Sequence, residues 1–374
     1  MKHSILVTGG AGFIGSHIVD ELIRRGHDVR VLDNLDPQVH GKERKKPDYF
    51  NPKANFMEGD VRDGAAVKKA LDGVEVLYHE AAAVGVGQSM YQIEHYVSVN
   101  SLGAGVLLDE VVNGKHDIKR MIVASSMSIY GEGVYECGKC GKITPDYRPA
   151  KQLEAHEWEM KCPNCGKAAK STPTPETKPL RPTSVYAIGK RDHEELFLSV
   201  GKAYGIPSVA LRYFNVYGPR QSLSNPYTGV AAIFQSNIKN DNPPVIYEDG
   251  LQTRDFVDIR DIIQANMLAL NEKRMDYEMF NVGSGRPTSV LQIAETFAKL
   301  YGKKIKPEIK NKFRAGDIRH CFADIAKISK IGYKPRISFE EGMAELVEWG
   351  RKQEAEDMSQ KALRELEERN LVEK

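Results

Sequence analysis

The chain has 374 residues, a formal net charge of +2 and 41% hydrophobic residues. That length accommodates two domains with buried cores, and near-neutrality excludes the charge bias of a nucleic-acid or membrane-surface binder. No apolar run approaches a membrane span, and "MKHSILVTGG" ends its short apolar run in glycines, so it reads as mature structure in a cytoplasmic protein that touches no membrane.

In chain order, "SILVTGG" is a short β-branched run that stops at glycines and reads as a buried parallel strand. "SHIVDELIRRG" follows with apolar residues at helical spacing and a closing Gly. "DVRVLDN" is a strand, "AAVKKALDG" a helix, "VEVLYHEAA" a strand, "NSLGAGVLLDEVVNG" a helix and "RMIVASSM" a strand. This alternation predicts an α/β, Rossmann-type doubly wound parallel sheet with helices on both faces. The rhythm breaks between about Gly131 and Thr172, then resumes with the helix "SVYAIGKRDHEELFLSVGKAYG" and the strand "SVALRYFNV". Beyond Gly218 it loosens into short strands and the helices "VLQIAETFAKLYG" and "EEGMAELVEWGRKQ". The expected organisation is a dinucleotide-binding domain over 1–216, interrupted by an insert at 132–172. A smaller substrate domain follows over 217–352, with segments near 254–285 returning to the first core. A charged helical tail over 353–374 reads as a solvated face, or as an oligomer contact through Met358, Leu363 and Leu366.

"VTGGAGFIG" sets Gly9, Gly12 and Gly15 between the first strand and its helix. The first glycine permits a sharp turn, the second lets backbone approach a pyrophosphate, and the third lets the helix pack close to the strand. Asp33 ends the second strand, where its carboxylate suits the two ribose hydroxyls of an adenosine and repels a 2′-phosphate, so the cofactor predicted is NAD. Asp60 and Val61 of "GDVRD" sit at a strand end suited to meeting the adenine.

Tyr186 and Lys190 of "YAIGK" are four residues apart on a helix, hence on one face. An ammonium beside a phenol favours phenolate, which makes Tyr186 a general base for a sugar hydroxyl. Ser126 ends the strand "MIVASSM" at the carboxyl edge of the sheet, where its hydroxyl reaches the same oxygen.

"TGGAGFIG", "SSMSIYG", "PETKPLRPTSVYAIGK", "LRYFNVYGPR", "RDFVDIRD", "FNVGSG" and "RAGDIRHCFAD" run nearly end to end. In them the chain resembles the extended short-chain dehydrogenase/reductases of the nucleotide-sugar epimerase/dehydratase group. The resemblance implies catalytic roles for Ser126, Tyr186 and Lys190, with Lys190 also holding the nicotinamide ribose. It implies cofactor contacts from Phe13, Ile14, Asn34, Ala81, Ala82, Asn100 and Tyr213. It assigns the substrate diphosphate to Asn215, Arg254 and Arg314 and its ribose to Asp317, and Gln88, Ser89 and Asn225 are candidates for the sugar and nucleotide pocket, polar loop residues that otherwise cap turns. Two guanidinium forks suit a diphosphate. Dehydratases of the group carry an Asp-Glu pair after the Ser/Thr position, and decarboxylases a Glu. Here Met127 and Ser128 stand there, so no carboxylate is expected to serve an elimination, and a 4-epimerase with tightly bound NAD is predicted. "DNLDPQVHG", "GQSMYQIEHY", "SLSNPYTG" and "FRAGDIRH" resemble the dTDP-L-rhamnose 4-epimerase branch, whose product is dTDP-6-deoxy-L-talose. UDP-glucose 4-epimerases share the scaffold, so the substrate expected is a dTDP- or UDP-sugar. A homodimer is expected by the same analogy.

Two Cys-x-x-Cys-Gly-Lys knuckles, Cys137/Cys140 and Cys162/Cys165, lie 21 residues apart in the insert. Four thiolates at ribbon-like spacing suit a structural, tetrahedral Zn, closed to water, in a segment too short to build its own core. His156 between the pairs reads as a loop residue. The insert mixes Lys and Glu with no repeated aromatic platform, so no nucleic acid is expected. Because it joins the Ser126 strand to the Tyr186 helix, it is expected to shape or cover the substrate entrance, or to serve the oligomer.

Overall fold

Seven parallel strands form the central sheet of the computed structural model, which describes residues 2–314 and 316–372. They are β1 (Ser4–Thr8), β2 (Asp28–Asp33), β3 (Asn55–Glu58), β4 (Val76–His79), β5 (Arg120–Ser126), β6 (Ser208–Tyr213) and β7 (Glu278–Val282). The spatial order is β7-β6-β5-β4-β1-β2-β3. Successive side chains leave opposite faces. Ile5 and Val7 of β1 enter one core with Val31, Tyr78 and Ile122, while Leu6 enters the other with Leu32, Leu77 and Val123. Both faces are therefore covered, which explains why these strands read as unbroken apolar runs rather than as alternation.

Helices α1 (Phe13–Arg24) and α5 (Ile259–Asn271) pack on the first face through Ile18, Leu22, Ile262 and Ala265. On the second lie α2 (Gly64–Leu71), α3 (Gly103–Asn113) and α4 (Val185–Tyr204), with Val67, Leu107 and Phe197 buried. Each fully buried aliphatic side chain of this kind contributes about 1.5–3 kcal/mol. The caps are local: Ser184 accepts from the Ala187 N–H to start α4, and Gly205 in the left-handed region ends it. The chain leaves β1 in one direction toward β2 and in the other toward β4, so a crevice opens at the carboxyl ends of these strands.

The substrate half is built on Thr253–Asp258. This strand pairs in parallel with Asn215–Tyr217 and His320–Cys321 and antiparallel with Pro287–Ser289. Helices Val230–Lys239, Val290–Tyr301 and Phe339–Arg351 close a third core around Phe234, Phe297 and Leu346. The insert is a three-stranded antiparallel sheet of Val134–Cys137, Gly141–Ile143 and Lys170–Thr172. Contrary to expectation it has a small core of its own, in which Tyr135, Ile143, Met160 and Ala169 surround the cysteines. The tail helix Ser359–Glu368 is not a free solvated face either. Ala362, Leu366 and Val372 are buried, and Glu365 accepts from the hydroxyls of Tyr91 and Tyr227 at 2.7 Å each. The last two tail residues lie outside the described residues.

Candidate active site

The crevice begins at the glycine loop. Gly9 turns with φ +70°, and a Cβ there would lie 2.7 Å from the Ala81 nitrogen. A Cβ on Gly15 would lie 2.2 Å from the Gly9 carbonyl, so α1 rests directly on the loop. Gly12, by contrast, faces the crevice, and its Cβ would meet only the Gly9 oxygen, at 3.3 Å. It stands at the N-cap of α1 with no side-chain cap, leaving the first-turn N–H groups to an anion. Asp33 is buried at the end of β2, where Oδ2 accepts from Ala11 N (3.0 Å) and Oδ1 from Leu35 N (2.9 Å). These bonds fix the carboxylate where the ribose of a dinucleotide lies in such folds. Phe13, Ile14, Asn34, Asp60, Val61, Ala81 and Ala82 line the same crevice. Asp60 is tied to Arg62 and Asn34, and the Arg62 guanidinium holds its carboxyl well below the ordinary range.

Deeper in, β5 and α4 bring Ser126, Tyr186 and Lys190 to one wall. Ser126 Oγ accepts from Ser128 N (3.2 Å) and Ser128 Oγ (3.0 Å). Burial pushes the Tyr186 phenol up to about 12, and the Ser126 hydroxyl opposes that rise. The Lys190 ammonium does not hydrogen-bond the phenol as the sequence pattern suggests. It donates to the Ala124 carbonyl at 3.0 Å and faces His193 Nδ1 at 3.5 Å. Burial pulls Lys190 down to about 8, against the Glu80 carboxylate, which raises it. His79 is pulled down to about 3 by burial and His193 well below its ordinary value, so both stay neutral beside the ammonium.

Glu80 is the residue that sequence reasoning passed over. It follows β4, lines the crevice, and accepts from the Tyr213 hydroxyl at 3.0 Å. Asn266 Nδ2 in turn donates to Tyr213 Oη at 2.8 Å. Burial pushes Glu80 up to about 7, with Lys190 and Tyr213 opposing. A carboxylate is therefore present after all, but Tyr213 holds it at the floor of the crevice. Tyr227, Arg220 and Gln221 were also passed over and line the crevice. Arg220 Nη1 and Gln221 Oε1 are buried without partners among the described residues.

Asn100, Ser89, Arg254, Arg314 and Asp317 are not among the residues lining this crevice. Asn100 is fully buried outside the crevice, where it braces the 81–83 turn by accepting from Ala83 N (2.8 Å) and donating to Ala83 O (3.1 Å). Ser89 is fully buried and donates to the Val86 carbonyl. Gln88, Asn215 and Asn225 do line the crevice, and Asn215 Oδ1 is buried with no partner among the described residues. Arg254, Arg314 and Asp317 do not line this crevice but cluster around the segment that Arg314 and Asp317 share. Arg254 donates to the carbonyls of Ile318 (2.7 Å) and Arg319 (3.1 Å), and Arg314 pairs with Asp317 (2.8 Å) over the Tyr247 ring. No insert residue among those described lines the crevice.

In the insert, the Sγ atoms of Cys137, Cys140, Cys162 and Cys165 all lie within 4.8 Å of one another, none in a disulfide. Cys137 and Cys165 are 3.5 Å apart. Zn–S bonds of about 2.3 Å place tetrahedral thiolates about 3.8 Å apart, so this set fits one metal ion. His156 is exposed and stacks on Trp158.

Residues 5–153 and 162–283 match the model of the NAD dependent epimerase/dehydratase family. The dTDP-L-rhamnose 4-epimerase of Burkholderia thailandensis is 36% identical over 92% of this chain and 94% of its own length. The UDP-glucose 4-epimerase of Thermotoga maritima, solved with UDP-glucose, superposes with a TM-score of 0.75 at 32% identity, covering 93% of this chain and 99% of that one. The UDP-glucose 4-epimerase of Thermus thermophilus, solved in complex with NAD, gives 0.73 at 29% identity over 94% and 100%. No helix among the described residues is long and apolar enough to cross a membrane.

Proposed function

Because the chain belongs to the NAD dependent epimerase/dehydratase family, we propose that it inverts C4 of a nucleotide-linked hexose with a permanently held NAD. The observation that carries this reading is the convergence of Ser126, Tyr186 and Lys190 on the crevice that the glycine loop and Asp33 open. The exposed backbone at Gly12, the uncapped start of α1 and the fixed Asp33 carboxylate fit a dinucleotide. Bound NAD supplies the acceptor and later the donor of the hydride. Tyr186 removes the proton of the C4 hydroxyl and returns it to the oxygen of the inverted carbon, while Ser126 bonds that oxygen throughout. Lys190 contributes positive charge beside the phenol and holds the nicotinamide ribose. Glu80, bound to Tyr213, keeps Lys190 protonated. Inversion needs the hexose to turn over between the two hydride transfers, so the nucleotide must be held firmly and the sugar loosely.

The favoured substrate is dTDP-L-rhamnose, with dTDP-6-deoxy-L-talose as product, supported by the motifs resembling that branch and by the Burkholderia relative. UDP-glucose is the second reading, supported by the Thermotoga and Thermus structures. NMR of purified protein with each sugar nucleotide, and no added NAD, tests both. The expected result is C4 inversion of one of them, lost by at least about a thousandfold in Tyr186→Phe while NAD stays bound. Full turnover in that variant overturns the assignment. The four cysteines hold one structural Zn in this reading. The working unit is a homodimer, supported by the apolar side chains Ile93, Val97, Leu102 and Ile188 left exposed on neighbouring helical segments.

A further inference from the structure

The insert reaches the substrate half through a network of charges whose centre, Arg148, Glu248 and Arg319, is buried. Arg148 is buried and donates to both oxygens of Glu248, Nη2 to Oε1 at 2.7 Å and Nη1 to Oε2 at 3.0 Å, and to the Asp317 carbonyl at 3.2 Å. Arg319, with no exposed surface, donates to Glu248 Oε2 (2.9 Å), Asp249 Oδ1 (2.7 Å) and, from Nε, to insert residue Glu159 (3.0 Å). Buried Glu132 receives the main-chain N–H of Arg319 at 2.7 Å and of His320 at 2.8 Å. Every one of these bonds from the insert ends on Glu248 or on residues 317–320. The Arg254 guanidinium donates into that same segment. A Cβ on Gly316 would sit 3.5 Å from the Thr183 carbonyl, so the segment runs past the foot of α4.

We propose that the insert is a positioning element for the nucleotide end of the substrate, with Glu132, Arg148 and Glu159 holding residues 317–320 in place through Glu248 and Arg319. The proposal rests on the reading that Arg254, Arg314 and Asp317 hold the nucleoside diphosphate. A buried carboxylate needs its partners, so removing Arg148 leaves Glu248 with Arg319 alone and frees the segment to shift. Ser126, Tyr186 and Lys190 are held by β5 and α4, outside this network. The consequence is selective: nucleotide affinity depends on the insert, and the chemical step does not.

The test compares full-length wild type, Arg148→Gln and Glu159→Gln. The readouts are kcat and KM for the sugar nucleotide, calorimetric Kd for free UDP and dTDP, and NAD content. In Arg148→Gln, KM and Kd are expected to rise roughly tenfold, with kcat within about twofold and NAD retained. The Glu159 side chain is 54% exposed, so Glu159→Gln folds regardless and is expected to raise both by about threefold. Should Arg148→Gln fail to fold, Glu159→Gln decides alone. Unchanged Kd in the folded variants, or a fall in kcat at constant KM, overturns the proposal. A wild type that binds neither nucleotide and epimerises neither sugar refutes the underlying function instead.

Discussion

Lys190 and Glu80 share the floor of the crevice, and each sets the charge of the other. The ammonium is pulled down to about 8 by burial, and the carboxylate resists that fall. Above pH 7 Glu80 is ionised, since burial places it at about 7, so its support of Lys190 is present where Lys190 titrates. Activity that needs the ammonium should therefore decline as pH rises through 8. Removing the carboxylate removes the raising influence, so Glu80→Gln should move the alkaline limb of kcat/KM to lower pH, by roughly one unit. An unmoved limb, or one displaced upward, would show that Glu80 does not govern the lysine. Leaving Tyr213 and Asn266 in place keeps the pocket shape, so the readout is electrostatic.

Among the elements, the insert divides what sequence discloses from what it hides. Its four cysteines announce a metal site through local spacing, and their sulfurs do gather within 4.8 Å. Elemental analysis is expected to find one zinc per chain, and stripping it should lower the melting temperature by about 5 °C or more, because the metal ties the strands of a small core. A protein free of zinc that melts identically after chelation refutes the metal reading. The glycine loop and the Tyr186/Lys190 pair are written within one turn and one helix, and Ser126 at the end of one strand, which is why the sequence could bring them to the crevice they line. Arg148 and Glu248 are 100 positions apart, and Glu132 contacts Arg319 across 187. No periodicity links such pairs, so the ionic anchorage of the insert could not be read. Nor could the partners of Arg254 and Arg314, the carbonyls of Ile318 and Arg319 and the carboxylate of Asp317, since residue type does not reveal where a guanidinium points. The tail misled differently: Leu366, read as a candidate oligomer contact, is buried with Ala362, four positions away, on a helical face that packs within the chain against Gly87.

For the molecule as a whole, the parallel sheet must bury both faces, and the helices on the second face leave apolar side chains outside. Ile93, Val97, Leu102 and Ile188 are 46–54% exposed, on the segment leading into α3 and on α4 itself. Tyr186 and Lys190, the proposed base and its lysine, ride on that same α4. A second copy packed across these segments would bury the four side chains twice over, related by a two-fold axis. It would also stiffen the helix that sets the distance between phenol and hydroxyl. Replacing Leu102 by Glu places a charge at the contact and costs about 3 kcal/mol, roughly a hundredfold in the dimer dissociation constant. Sedimentation should then report twice the chain mass for wild type and one chain mass for Leu102→Glu at micromolar concentration. The monomer should keep NAD, because the glycine loop, Asp33 and α1 lie away from this surface, and lose turnover through α4. A wild type that sediments as a monomer at full activity would leave the exposed residues without a partner and the helix rigid by itself.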